Sequence, residues 1–148
     1  MAEIRPFRGL RYTEKAGDIG NLCCPPYDII NPEQHEVLLR KDEHNLVRLE
    51  LPAFGGCEDM APYKGSAELL RFWLEQDILR KDEQECLYIY EMAFSALGGN
   101  YTVKGFVSLV KLEPFSKGVI LPHEETLSKA KTDRFNLMKA TGCNFSQI

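Results

Sequence analysis

The sequence predicts an α+β domain with a mixed or antiparallel sheet, a long hairpin and three or four helices. Three observations carry that expectation. Two long apolar segments, "ECLYIYEMAF" and "NYTVKGFVSLVKLEP", flank "SALGGN", whose glycines supply the positive backbone angles of a tight hairpin. From Tyr63 to about Leu79, Ala67, Leu70, Trp73, Leu74 and Ile78 recur at three- and four-residue intervals and share one helical face. Asn31, Pro32 and Gln34 together form the signature of a capped helix start.

In chain order, "RPFRGLRY" reads as an extended opening segment and is followed by a loop as far as "CCPPYDIINPEQ". A short helix capped by Asn31 is expected through Arg40. "NLVRLELP", rich in branched apolar residues and closed by Pro52, is expected to be a strand. "AFGGCEDMAPY" reads as loop, with Pro62 opening the core helix. After the hairpin, "GVIL" is expected to be a third short strand. A last helix should run from Ser128 or Lys131 to Ala140, with Phe135 and Met138 on its buried side and Gly142 as its stop.

The chain has 148 residues, enough for one compact domain with its own core, and residues 1–148 are read as a single domain. With 44% hydrophobic and 27% charged residues it is neither disordered nor fibrous. A net charge of −4 and a pI near 5.4 argue against an electrostatic nucleic-acid binder. "MAEIRPFRGLRY" lacks the apolar run of a secretory signal, and no stretch approaches the ~20 apolar residues of a bilayer span. Cys23, Cys24, Cys57, Cys86 and Cys143 are odd in number and contain no Cys-x-x-Cys pair, so neither a disulfide framework nor a zinc site is expected. A reducing cytoplasm fits. No bound metal or redox cofactor is expected, and Cys23 and Cys24 read as small hydrophobes before they read as a redox pair.

The chemistry-bearing residues concentrate in "VILPHEETLSKAKTDRFNLMKATGCN". Pro122 places His123, Glu124 and Glu125 in the turn before a helix, where free backbone N–H groups attract anions. Adjacent carboxylates favour one another's protonated form, so Glu124 or Glu125 is a candidate general base. His123 can orient a glutamate or bind a phosphate. Lys129, Lys131 and Arg134 can converge on phosphate oxygens, Arg134 through its bidentate fork. Spacing alone favours a plainer reading, an acidic first turn and a solvated basic face, with Lys129 and Asp133 as an exposed i,i+4 pair. Arg5, Arg8 and Arg11 recur every third residue and can line an anion site or form a surface strip. Tyr27 and Asp28 lie in a proline-stiffened loop that holds polar groups rigidly or simply turns the chain. The Gly pairs lack P-loop or dinucleotide spacing.

Five blocks in order, "IRPFRGLRY", "CCPPYDII", "HNLVRLELP", "YEMAF" and "GVILPHEETLSKAKTDRFNLMKATGCNFSQI", resemble the family of large bacterial and archaeal proteins catalogued as domain of unknown function 1015. In that family the second block tends to read Ala-Pro-Pro-Tyr-Asp-Val-Ile. The resemblance implies a ParB- and sulfiredoxin-like fold related to nucleotide-dependent kinases of free serine. In those kinases a Pro-His-Glu-Glu segment supplies the acidic base, which carries over to His123, Glu124 and Glu125, with Glu124 favoured. The implied reaction transfers the terminal phosphate of ATP or ADP, with Mg²⁺, to the hydroxyl of serine or a similar small metabolite. The family's Asp-Gly-His-His-Arg motif belongs downstream of "CNFSQI", so the chain is expected to be an amino-terminal part, and the carboxy-terminal half of the same protein an expected partner. Two other functions are compatible with the resemblance: a ParB-like DNA-binding partition protein and a non-catalytic nucleotide-binding regulator.

Overall fold

The computed structural model describes residues 1–53, 59–123 and 127–145. Among the described residues two short strands are followed by four α-helices, four further strands and a last helix, and the strands pair in two-stranded sheets, β1–β6 and β4–β5 antiparallel, an α+β architecture. The strands are β1 (Ile4–Arg5), β2 (Leu10–Tyr12), β3 (Leu79–Lys81), β4 (Tyr88–Ala96), β5 (Gly99–Val107) and β6 (Leu109–Val110). The helices are α1 (Ile19–Leu22), α2 (Pro32–Lys41), α3 (Val47–Glu50), α4 (Ala61–Glu75) and α5 (Ser128–Thr141). Among the described residues, α2, α4 and α5 are the helices that exceed a single turn.

The chain divides into two compact units, Met1–Leu10 with Lys81–Glu124, and Arg11–Arg80 with Glu125–Ile148. The division falls within β2 and β3, which pair with each other.

In the first unit the opening segment pairs antiparallel with β6, Ile4 opposite Val110 and Arg5 opposite Leu109. It continues through a Phe7–Cys86 bridge. Tyr88 clamps this path, accepting from Gly9 N at 2.6 Å while its hydroxyl donates to Asp82 Oδ2 at 2.6 Å. The Asp82 hydrogen bond, followed by burial, raises the Tyr88 phenol above its ordinary range. Gly9 is required there, since an added Cβ would lie 2.9 Å from the held Tyr88 hydroxyl. The hairpin forms as the sequence predicts, Ala96 opposite Gly99, but only Gly98 of the glycine pair turns the chain, at φ 76°. Leu97, fully exposed, takes the other positive φ, 49°.

The second unit holds every buried side chain among the described residues. Its α2 carries the expected capping box: Asn31 Oδ1 accepts from Gln34 N at 2.8 Å and Gln34 Oε1 from Asn31 N at 3.0 Å. In α4, Tyr63, Ser66, Leu70 and Trp73 are the buried residues, a 3-4-3 spacing that fills one face. The helix stops at Glu75, short of the predicted Leu79, because Asp77 adopts φ 60° and Ile78 N turns back to Trp73 O at 2.8 Å. Ile78 and Leu79 remain buried beyond the helix.

Three sequence expectations are corrected. "NLVRLELP" is not a strand: buried Asn45 accepts from Val47 N at 3.1 Å and nucleates the single helical turn α3. "GVIL" is not a strand either: Gly118 sits at φ 61° after a 3-10 turn, and residues 118–121 carry no strand assignment. Helix α5 spans the predicted range, yet Phe135 and Met138 are exposed while Asp133 and Leu137 are buried. The helix is rotated to bring a carboxylate inward.

Asn45 fixes α3 from both sides, its amide also donating to Asn21 O at 2.6 Å and Cys23 O at 3.2 Å. Asn45→Ala would remove these carbonyls' donor and leave the buried Val47 N–H without its acceptor, and is expected to destabilise the chain by about 2–3 kcal/mol in a urea titration.

Candidate functional site

The chemistry predicted for the segment after Pro122 falls on α5, so its two ends and two faces set the site. The helix ends where Gly142 takes φ 68° and bonds Met138 O at 2.8 Å. At the other end Leu127 is the N-cap and provides no side-chain acceptor, and the first turn contains no acid. The first backbone N–H groups of a helix have no carbonyl within it to bond, so this turn carries positive potential. Lys129 and Lys131 lie there, both exposed and, among the described residues, in no ion pair. Cations at a helix start oppose the dipole by a few tenths of a kcal/mol each, so the sequence forgoes stability at this turn.

One turn further, the helix faces inward. Asp133 is buried, and its Oδ1 accepts from the hydroxyl of fully buried Tyr63 on α4 at 2.7 Å. Arg134 Nε donates to Asp133 Oδ2 at 2.8 Å, and Nη2 donates to the same oxygen and to the backbone carbonyl of Glu50 at 2.9 Å. The guanidinium carbon lies 3.8 Å from the centre of the Tyr27 ring, a cation–π contact. Tyr27 is placed by the two prolines before it, which lead into a 3-10 turn over Tyr27–Ile29, and by packing on the Ile30, Val47 and Leu51 cluster. Arg134 Nη1 is buried and, among the described residues, has no hydrogen-bond partner.

Beside this fork, the carboxylate of buried Glu50 accepts from the Cys24 thiol at 3.6 Å. Burial and then the charge of Glu50 push the Cys24 thiol up to about 12. Cys24 is therefore a neutral donor at physiological pH and not a nucleophile. The sequence reading of both cysteines as small buried hydrophobes is corrected: Cys24 is half-buried and bonded to a carboxylate, and Cys23 is exposed.

The structure thus brings Tyr27 and Arg134 into contact. Asp28 is exposed on the same turn, and Lys129 and Lys131 are exposed on the first turn of α5. Asp133 does not form the exposed pair with Lys129 that spacing allowed; it is turned inward to Tyr63 and Arg134. Arg5 and Arg8 belong to the other unit, where Arg5 pairs with Glu3 at 2.9 Å and Arg8 bonds the Asp82 carbonyl. His123 is exposed, and Glu124 and Glu125 lie outside the described residues. Sequence reasoning missed Glu50, Tyr63 and Asp133 as partners of the cluster. Tyr63 and Asp133 are 70 residues apart, and no local spacing signals such a bond. Among the described residues, no three His, Cys, Asp or Glu side chains gather where a metal could be held, and no helix is long and apolar enough to cross a membrane.

Three outcomes are expected. Arg134→Met would leave Asp133 buried against an apolar side chain and should lower stability by about 3 kcal/mol, whereas Lys129→Met at the exposed start of the same helix should change it by less than about 0.5 kcal/mol. The raised Cys24 pKa favours the protonated fold, so its contribution is complete below its ordinary value of 9.0 and is lost as pH climbs toward about 12. Melting temperature should therefore fall over that alkaline window, and less steeply in Cys24→Ala. At neutral pH a thiol-alkylating reagent should label Cys23 before Cys24.

Comparison with known proteins gives one match. Neither curated proteins nor solved structures contain a similar sequence or fold at a significant level. A family profile described as protein of unknown function (DUF1015) matches residues 4–148, nearly the whole chain. The chain therefore belongs to the DUF1015 family.

Proposed function

We propose that the chain is part of a nucleotide-dependent phosphotransferase whose acceptor is a small hydroxyl-bearing metabolite, free serine being the first candidate. The observation that supports this most is the start of α5. It has no side-chain cap and no first-turn acid, and two exposed lysines without ion partners among the described residues flank its N–H groups. A phosphate there would meet the helix dipole, backbone donors and both ammonium groups at once.

In this reading Lys129 and Lys131 hold and neutralise the phosphates of ATP or ADP, and Mg²⁺ arrives with the nucleotide. Glu124 takes the proton of the acceptor hydroxyl, whose oxygen forms the new bond to the terminal phosphorus. The bond from that phosphorus to its bridging oxygen breaks, and the shortened nucleotide leaves with the electron pair. His123 and Glu125 orient the base. Arg134 serves differently from the sequence expectation: most of its donors are spent on Asp133 and the Glu50 carbonyl, so it positions α5, and Nη1 is the nitrogen left without a partner among the described residues. The reading expects further phosphate contacts from a carboxy-terminal half of the same protein, and places the activity in the cytoplasm with the nucleotide and amino-acid pools.

The test incubates the full-length gene product with ATP or ADP, Mg²⁺ and serine, then a panel of other small alcohols, and follows the phosphorylated product by mass spectrometry. Phosphoserine is expected, with Glu124→Gln slowing turnover by about 10²–10⁴-fold. The Lys129→Ala/Lys131→Ala pair should raise the nucleotide KM by about tenfold with a smaller change in kcat. No product from any acceptor would exclude the phosphotransferase. Thermal stabilisation by nucleotide without turnover would indicate a regulator, and salt-sensitive DNA binding a partition role.

A further inference from the structure

The first unit contains no buried side chain among its described residues, although it is rich in large apolar ones. The β4–β5 register sorts these residues by face. Directly opposed residues point the same way, so one face holds Tyr88, Tyr90, Met92, Phe94, Val103, Tyr101 and Val107, and no charge. The opposite face carries the Glu91–Lys104 ion pair at 2.8 Å and the Ser95–Asn100 hydrogen bond at 2.7 Å.

The uncharged face is also flattened. Tyr90 lies across Gly105, whose added Cβ would come within 2.5 Å of the ring, and Tyr101 lies across Gly99 in the same way at 3.1 Å. Phe94 stacks on Tyr101 with ring centroids 5.7 Å apart. Rings laid down over glycines make a smooth surface suited to packing against another sheet, about 10 Å away. An isolated two-stranded hairpin is marginal in water, so such a surface gains from a cover.

We propose that this face packs against the same face of a second copy of the chain, forming a two-fold dimer. Two observations favour a second copy. The face contains no charge, so it offers nothing to select a charged partner and meets its own image without burying an unpaired ion. Its area is also of the right order. Tyr90, Met92, Phe94, Tyr101 and Val103 keep 40% to 53% of their surface in water. At about 150–250 Å² per large side chain, roughly 450 Å² is available on each copy, or roughly 900 Å² in the pair. That is close to the ~1,000 Å² of a specific interface and places the dimer among reversible ones.

Sedimentation velocity over a wide concentration series tests this. The expected result is a reversible monomer–dimer equilibrium, whose dissociation constant rises at least about tenfold in Met92→Lys and in Val103→Lys. It should not change in Thr102→Lys, on the opposite face. Circular dichroism identifies any variant that fails to fold. Amide hydrogen exchange of the unaltered chain provides a readout without substitution, because protection of Tyr88–Ala96 and Gly99–Val107 should increase with concentration. A monomer at every concentration, or a dimer unaffected by both charged variants, would overturn the proposal, as would exchange independent of concentration. In those cases the cover is another part of the polypeptide or a different partner.

Discussion

A buried carboxylate next to a mostly buried guanidinium is the contact on which the second unit depends. Asp133 and Arg134 are consecutive on α5, and neither could leave water alone, because an uncompensated charge in the interior costs several kcal/mol. Each is compensated from a different part of the chain: Asp133 by the Tyr63 hydroxyl on α4, and Arg134 by the Glu50 carbonyl at the end of α3 and the Tyr27 ring in the loop before α2. Such a network adds little net stability over apolar packing, but it is demanding about geometry. Rotation of α5 by about half a turn, as burying Phe135 requires, would expose Asp133 and strand the Tyr63 hydroxyl and the last carbonyl of α3. The helix is therefore oriented by polar matching, and its exposed Phe135 and Met138 follow from that.

The same interaction explains how far the sequence could be read. Features with local causes were legible: the Asn31–Gln34 capping box, the proline start of α4, the hairpin at Gly98 and the Gly142 stop each arise within a few residues. The α3 turn was not, because its apolar and branched residues suit a strand and only the Asn45 side chain, held by carbonyls of Asn21 and Cys23, decides for a helix. The face of α5 was not legible for the same reason. A hydrophobic count puts Phe135 and Met138 inside, whereas the residue that settles the rotation is an aspartate whose partner is 70 positions away. Of the candidate site, Tyr27 and Arg134 were singled out separately by residue type, but neither their contact nor the parts of Glu50 and Tyr63 had a local signal.

The two units are held by different means. The second has a contiguous interior in which Leu22, Val47, Leu49, Tyr63 and Trp73 are almost fully excluded from water. The first has short ladders, a Tyr88 clamp onto Gly9 and Asp82, and an exposed hairpin. Its ion pairs of Arg5 and Lys111 with Glu3 and of Lys104 with Glu91 are solvent-exposed and worth at most about 1 kcal/mol each, and those of Lys111 and Lys117 with the half-buried Glu113 keep both lysines in water. Neither ladders nor surface pairs replace the hydrophobic term, which at about 25 cal/mol per Å² is the main source of folding free energy. Contacts made by the uncovered apolar residues therefore bear on the stability of this unit far more than any polar contact within it.

Helix α5 joins the structural and functional readings because its faces serve different ends. Asp133, Arg134 and Leu137 are turned inward and fix the helix, while Lys129 and Lys131 remain in water at an uncapped start. A phosphate site needs donors whose positions are set before the ligand arrives, since ordering them on binding would consume the affinity they provide. The inward residues meet that need for the backbone N–H groups of the first turn. Arg134 is thus most useful to an anion site when it is not part of it, and a substitution that frees its guanidinium for solvent would loosen the very turn that the lysines require.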